Sequence, residues 1–171
     1  MTLNTWDFET GASAGATLTA SNYALQGTGS TTFDDSWSVS GGFCARFEPT
    51  SGNIRFGRFT LATSSKTMGY ELFERTPSTL PASGTRFTIA AARGTSSAVR
   101  WQWDETGRVG YEAVTGGFIP VSAVLAVDTP VRLSALIVVG SATTAPYDGT
   151  VSMKVYTGAA FTTQSDRKSV V

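Results

Sequence analysis

The sequence predicts an all-β protein built as a two-sheet antiparallel sandwich. Three observations carry that prediction. Apolar residues recur at every second position in one segment after another, residues suited to turns separate those segments, and helical periodicity is hard to find. The spacing of the turn signals calls for roughly ten to twelve strands, the pattern of sandwiches and related barrels.

The strands follow in order. Phe43, Ala45 and Phe47 share one face, and Cys44, Arg46 and Glu48 the other. Ile54 and Phe56 then set a phase that Phe59 and Leu61 break, with Gly57 at the switch. A β-bulge at Gly57 would insert one residue and return Phe59 to the core side; two short strands joined by a bend is the other reading. Phe87, Ile89 and Ala91 alternate with Arg86, Thr88 and Ala90. Val99, Trp101 and Trp103 alternate with Arg100, Gln102 and Asp104, and Val109, Tyr111 and Ala113 continue beyond Glu105-Thr106-Gly107. That is the signature of a hairpin with a short Gly-containing loop. Val121, Ala123, Leu125 and Val127 fit a strand better than a helical turn. Val131, Leu133, Ala135, Ile137 and Val139 form one face of a further strand; its second face turns apolar after Ser134, which predicts burial on both sides. Val151, Met153 and Val155 alternate with Ser152, Lys154 and Tyr156. The joints, such as Gly41-Gly42, Pro49–Asn53, Pro77–Gly84 and Gly140–Gly149, are rich in Gly, Ser, Thr, Asn and Pro, which supply positive or fixed φ where strands reverse.

A length of 171 residues fits one domain. The expectation is a single domain over 1–171, with 164–171 a peripheral polar tail. Thirteen Lys+Arg balance thirteen Asp+Glu, and only 15% of residues are charged. That balance, with no basic block, gives little counterion-release drive and argues against a nucleic-acid partner. The absence of His and the single Cys44 exclude a disulfide framework, zinc sites, Ser-His-Asp triads and Cys-His dyads within the chain. No signal peptide is visible at Met1–Asp7, and no apolar run reaches the length of a membrane span. The expectation is synthesis in a host cytoplasm.

Three segments together resemble the laminin-G-like, concanavalin-A-like jelly-roll superfamily. They are Trp6-Asp7-Phe8-Glu9-Thr10-Gly11 with the strands after it; Gly41-Gly42-Phe43-Cys44-Ala45-Arg46-Phe47; and Asp128-Thr129-Pro130-Val131-Arg132-Leu133 with Gly149–Tyr156. The chain is similar to the short laminin-G-like proteins of tailed bacteriophages, particularly those infecting actinobacteria. The resemblance implies a jelly roll and a place in the virion, as a minor tail, capsid-decorating or host-attachment protein.

Catalysis has little to stand on. A retaining jelly-roll glycosidase needs two carboxylates about 5–5.5 Å apart, and enzymes of this fold carry them on a Glu-x-Asp-x-x-Glu string that does not occur here. Asp7 and Glu9 share a face without a third acid, and Glu71 and Glu74, three apart, fall on opposite faces of a strand. Asp34-Asp35 and Asp104-Glu105 read as solvated turn acids. No cofactor is expected. Calcium, which the superfamily can bind, would need converging oxygen ligands; Asp34, Asp35, Asp128 and Asp148 are loop acids that no motif collects. Trp101, Trp103 and Tyr111 are expected in the core, with a binding face as the alternative. Tyr23, Trp37 and Tyr147, near loops or strand ends, are the candidates for glycan or subunit contact.

These readings converge on a non-enzymatic structural or adhesion protein of a phage particle. Other virion proteins, a second copy of the chain and a surface glycan are its expected partners. A stand-alone carbohydrate-binding, lectin-like module is the alternative.

Overall fold

The computed structural model describes residues 13–18, 25–35, 42, 44–49, 55–57, 67–93, 98–112, 117–141, 148–158 and 160–170. The chain divides into two compact units, Met1–Ser64 and Ser65–Val171. All regular structure among the described residues is β, and every pairing is antiparallel.

In the first unit β1 (Leu25–Gly27) pairs with β4 (Arg55–Gly57), and β2 (Gly29–Asp34) pairs with β3 (Cys44–Pro49). Leu18, Thr31 and Phe33 are buried. The segment before β1 joins the ladder through its backbone: Leu18 N–H donates to the Thr31 carbonyl, and Phe33 N–H to that of Ala16. Burying Thr31 and Phe33 on one side of β2 leaves the residues between them toward the other, the period of two that the sequence shows. Gly57 pairs with Leu25 at the end of β4, and Ile54, Phe59 and Leu61, which set the expected phase change, lie outside the described residues.

The second unit holds two four-stranded sheets. One, here the β10 sheet, has the order β12-β11-β10-β5, where β5 is Thr67–Arg75, β10 Pro130–Val138, β11 Thr150–Thr157 and β12 Thr163–Val170. The other, the β7 sheet, is a meander of β6 (Arg86–Arg93), β7 (Ala98–Asp104), β8 (Val109–Glu112) and β9 (Phe118–Pro120). A single core joins them: Val99, Trp101, Trp103, Val109 and Tyr111 from the β7 sheet, and Val131, Leu133, Ala135, Ile137, Val151, Met153 and Val155 from the β10 sheet. Each aliphatic side chain buried there stabilises the fold by roughly 1.5–3 kcal/mol. The arrangement is sandwich-like, as the alternation predicted. The hairpin also falls where its loop signal placed it, with Gly107 at φ +85° closing the turn.

Four expectations need correction. β6 does not keep one phase, because a bulge between Thr88 and Ala90 shifts the register; Phe87 faces Trp103 across the ladder, but Ala90 rather than Ala91 faces Trp101. The segment Val121–Val127 is not a strand. Both Val121 and Ser122 N–H donate to the Val109 carbonyl and Leu125 N–H to that of Gly107, so the chain coils round the hairpin end and leaves Val124 and Val127 exposed. The second face of β10 is not buried: Leu136 is 46% exposed. Asp104 is not solvated either; it is 3% exposed. The polar stretch after Gln164 lies in β12, at one end of the β10 sheet.

Candidate functional site

The register of β5 against β10 settles which way its side chains point. Leu72 pairs with Leu133 and Glu74 with Val131, both partners fully buried, so even-numbered residues of β5 share the core face. Glu71 and Phe73 therefore stand on the outer face and Glu74 on the inner one. The two glutamates cannot act on one substrate together.

On the outer face one cross-strand row reads Phe73, Arg132, Tyr156 and Gln164. The Arg132 guanidinium lies over both neighbouring rings, 5.8 Å from the Phe73 centroid and 4.9 Å from that of Tyr156, the geometry of cation–π attraction. It also donates through Nε and an Nη to the two Glu71 carboxylate oxygens at 3.1 and 3.0 Å. This planar fork fixes the guanidinium, and a lysine could not reproduce it. Hydrogen bonding to Glu71 raises the Arg132 pKa further and keeps it charged. Phe161, between β11 and β12, sets its ring edge-on to Phe73 at 5.4 Å. It does so from φ +53°, a region bulky residues rarely occupy. Its own N–H closes the turn by donating to the Gly158 carbonyl. Phe73 and Leu136 are exposed on the same face. The result is an aromatic and charged surface, open to the surroundings, in which the charges of Glu71 and Arg132 cancel.

The outer face of the β7 sheet differs. Glu112 takes two guanidiniums, Arg100 at 3.2 Å and Arg86 at 3.7 Å, and Arg86 also covers the Phe118 ring at 5.0 Å. Beneath them Gly110 leaves no room for a side chain: a Cβ there would run into the Ile119 carbonyl oxygen and come within 2.8 Å of Phe118 Cζ and Pro120 Cα. Gln102, 6% exposed, donates to Thr88 Oγ1.

Asp104 is buried, and Glu74 is half-buried with one carboxylate oxygen enclosed. Asp104 Oδ1 accepts from the Thr106 and Arg108 amides and the Thr106 hydroxyl, and Oδ2 accepts from Arg108 Nε at 2.8 Å. Burial alone would push its pKa up; the bonds from Arg108 and Thr106 together outweigh that and hold it below the ordinary value. Glu74 has no such ring of donors. Its Oε2 is shut off from solvent without a hydrogen-bond partner, as are Trp103 Nε1 and the Tyr111 hydroxyl. Burial pushes its pKa up to about 8, with the nearby Trp103 indole offsetting a little of the rise.

The contact residues expected from the sequence, Tyr23, Trp37 and Tyr147, lie outside the described residues, as do Trp6, Asp7 and Glu9. Trp101, Trp103 and Tyr111 are core residues, each no more than 1% exposed. The loop acids are separate: Asp34 pairs with Arg46 at 3.8 Å, Asp128 with Arg75 at 3.3 Å, and Asp148 accepts from Ser141. Among the described residues no three potential metal ligands gather, and no helix is long and apolar enough to cross a membrane. The row built on Phe73, Arg132 and Tyr156 went unread in the sequence, where Arg132 and Tyr156 are simply polar-face positions. The signal that could have found it is the pairing of β5 with β10 and of β10 with β11. No family model matches the chain, and neither the curated proteins nor the solved structures include a match to it.

Proposed function

We propose that the chain is a non-enzymatic structural or adhesion module of a tailed-phage particle, with the outer face of the β10 sheet as its contact surface. The observation that carries this reading is the outward-facing row of Phe73, Arg132 and Tyr156, fixed by Glu71 and flanked by Phe161. Aromatic rings and a forked arginine are the side chains most enriched where proteins meet a partner. The surface is broad and open, and Glu71 is already committed to Arg132, which suits adhesion better than bond cleavage. The jelly-roll assignment rests on the resemblance. It gains support from connectivity, since four strands of the β7 sheet intervene before β10 returns to pair with β5, the long-range return that such folds use.

The test is to purify particles of the phage that encodes the chain and look for it by mass spectrometry and cryo-electron microscopy. The reading expects the chain in the particle, with the β10 sheet against a neighbour or facing outward. A chain absent from purified particles would sink it. The outward-facing rings also favour a second reading, a stand-alone carbohydrate-binding module. Glycan-array binding lost in both Phe73→Ala and Tyr156→Ala, by a chain absent from particles, would establish that one instead.

A further inference from the structure

We propose that Glu74, turned inward and half-buried, is a proton-binding site that makes the attachment of β5 to the core depend on pH, holding the strand when protonated and loosening it when ionised. This inference is independent of the role proposed above. It starts from position: β5 ends the strand order of its sheet, and among the described strands it is paired only through β10. Near its C-terminal end the core face carries a carboxyl group where the alternation calls for an apolar side chain. That group sits opposite Val131 in the ladder, with Trp103 of the other sheet beside it. Its Oε2 has neither water access nor a hydrogen-bond partner.

Nothing charged turns toward it from the described elements around it. On β5 itself, Glu71 and Arg75 are on the outer face, bound to Arg132 and Asp128. On β10, Arg132 is on that same outer face. On β7, Arg100 is on the outer face with Glu112, and Asp104 is enclosed by Thr106 and Arg108. On β8, Arg108 is committed to Asp104 at 2.7 Å and Glu112 to Arg86 and Arg100. The other titratable group on the core face is the Tyr111 hydroxyl. A proton on Glu74 leaves a small polar group among apolar neighbours; losing it leaves a charge there with no cation to answer it.

The sign of the coupling follows from the folded-state pKa of about 8 against an ordinary value of 4.5. Below 4.5 the carboxyl is protonated in both folded and unfolded chains and contributes no pH dependence. Between the two values the folded chain keeps a proton that the unfolded chain releases, so stability falls as pH rises, by up to about tenfold in the folded-to-unfolded ratio per pH unit. Above about 8 the loss is complete.

The experiment is a series of urea unfolding curves from pH 5 to 9.5 on the full chain and on Glu74→Gln, with amide exchange of β5 followed in parallel. The neutral, nearly isosteric glutamine is expected to remove the fall in stability, and β5 amides of the natural chain are expected to exchange faster, relative to β10 and β11, as pH rises past 8. Parallel pH profiles for the two proteins would overturn the proposal. A variant that does not fold leaves a direct measurement on the natural chain: the side-chain carboxyl carbon of Glu74 followed by NMR. A midpoint near 8 supports the proposal, and one near 4.5 overturns it.

Discussion

Glu74 and Asp104 make an instructive pair. Both carboxylates belong to the second unit and have at least one enclosed oxygen, yet they are driven in opposite directions, Glu74 upward to about 8 and Asp104 below its ordinary value. Burial pushes both upward. What differs is the supply of donors. Asp104 stands at the mouth of a tight hairpin, where two backbone amides, a hydroxyl and a guanidinium reach it within four residues. Glu74 stands on the inward face of the strand that ends its sheet, with no turn beside it to supply free amides. An acid at a turn finds its donors locally, whereas an acid on a core face must be given them by a distant strand.

The pH dependence of stability puts the contrast to its strongest test. Asp104 contributes stability that is fully present above its unfolded value of about 3.8 and is lost as pH falls through its lowered folded value. Glu74 works the other way, costing stability as pH rises from 4.5 to about 8. That interval corresponds to an effect on the order of 4–5 kcal/mol at its upper bound. Unfolding midpoints should therefore peak in mildly acidic solution, at about pH 4–5. A maximum at pH 8 or above would show that the Glu74 arm of the comparison is wrong.

Asp104→Ala comes next in size. It strips the hairpin of four hydrogen bonds and leaves amides of Thr106 and Arg108 without their acceptor. A loss of about 2–4 kcal/mol in urea unfolding is expected, softened by the exposure of Arg108. Thr106→Val removes only the hydroxyl donor and keeps the backbone one. It should cost about 1 kcal/mol and raise the Asp104 pKa, read from its carboxyl carbon by NMR. The smallest effect belongs to Trp103→Phe. Although the indole N–H lies outside hydrogen-bond geometry, it is the one influence that lowers the Glu74 pKa, so without it the midpoint should move further up. A downward move would mean that the indole does not act on the carboxylate.

The hairpin and the core faces of β10 and β11 were legible because an apolar residue recurs at every second position along them. The strand Thr67–Arg75 was not. Apolar Met68 and Leu72 share its core face with Glu74, while Phe73 stands on the outer face, so the period is blurred at the strand that matters most. The segment Val121–Val127 erred in the opposite sense. It alternates convincingly, but its amides go to the Val109 and Gly107 carbonyls rather than to a ladder partner. The contact surface was hidden for a different reason. Glu71 and Arg132 are 61 positions apart, and only the pairing of β5 with β10 brings them together. A pattern read along the chain carries alternation within a strand and says little about which strands become neighbours.

Gly110 carries a lesson about descent. Its α-carbon is overhung by Phe118 and the backbone of Ile119 and Pro120. Even alanine would have to prise the last strand of the meander away from its neighbour. Val109 and Tyr111 on either side can trade volume with the rest of the core, one methyl group given up here and regained there, as lineages drift. The glycine has nothing to trade. Selection should leave it untouched while the sequence around it is rewritten.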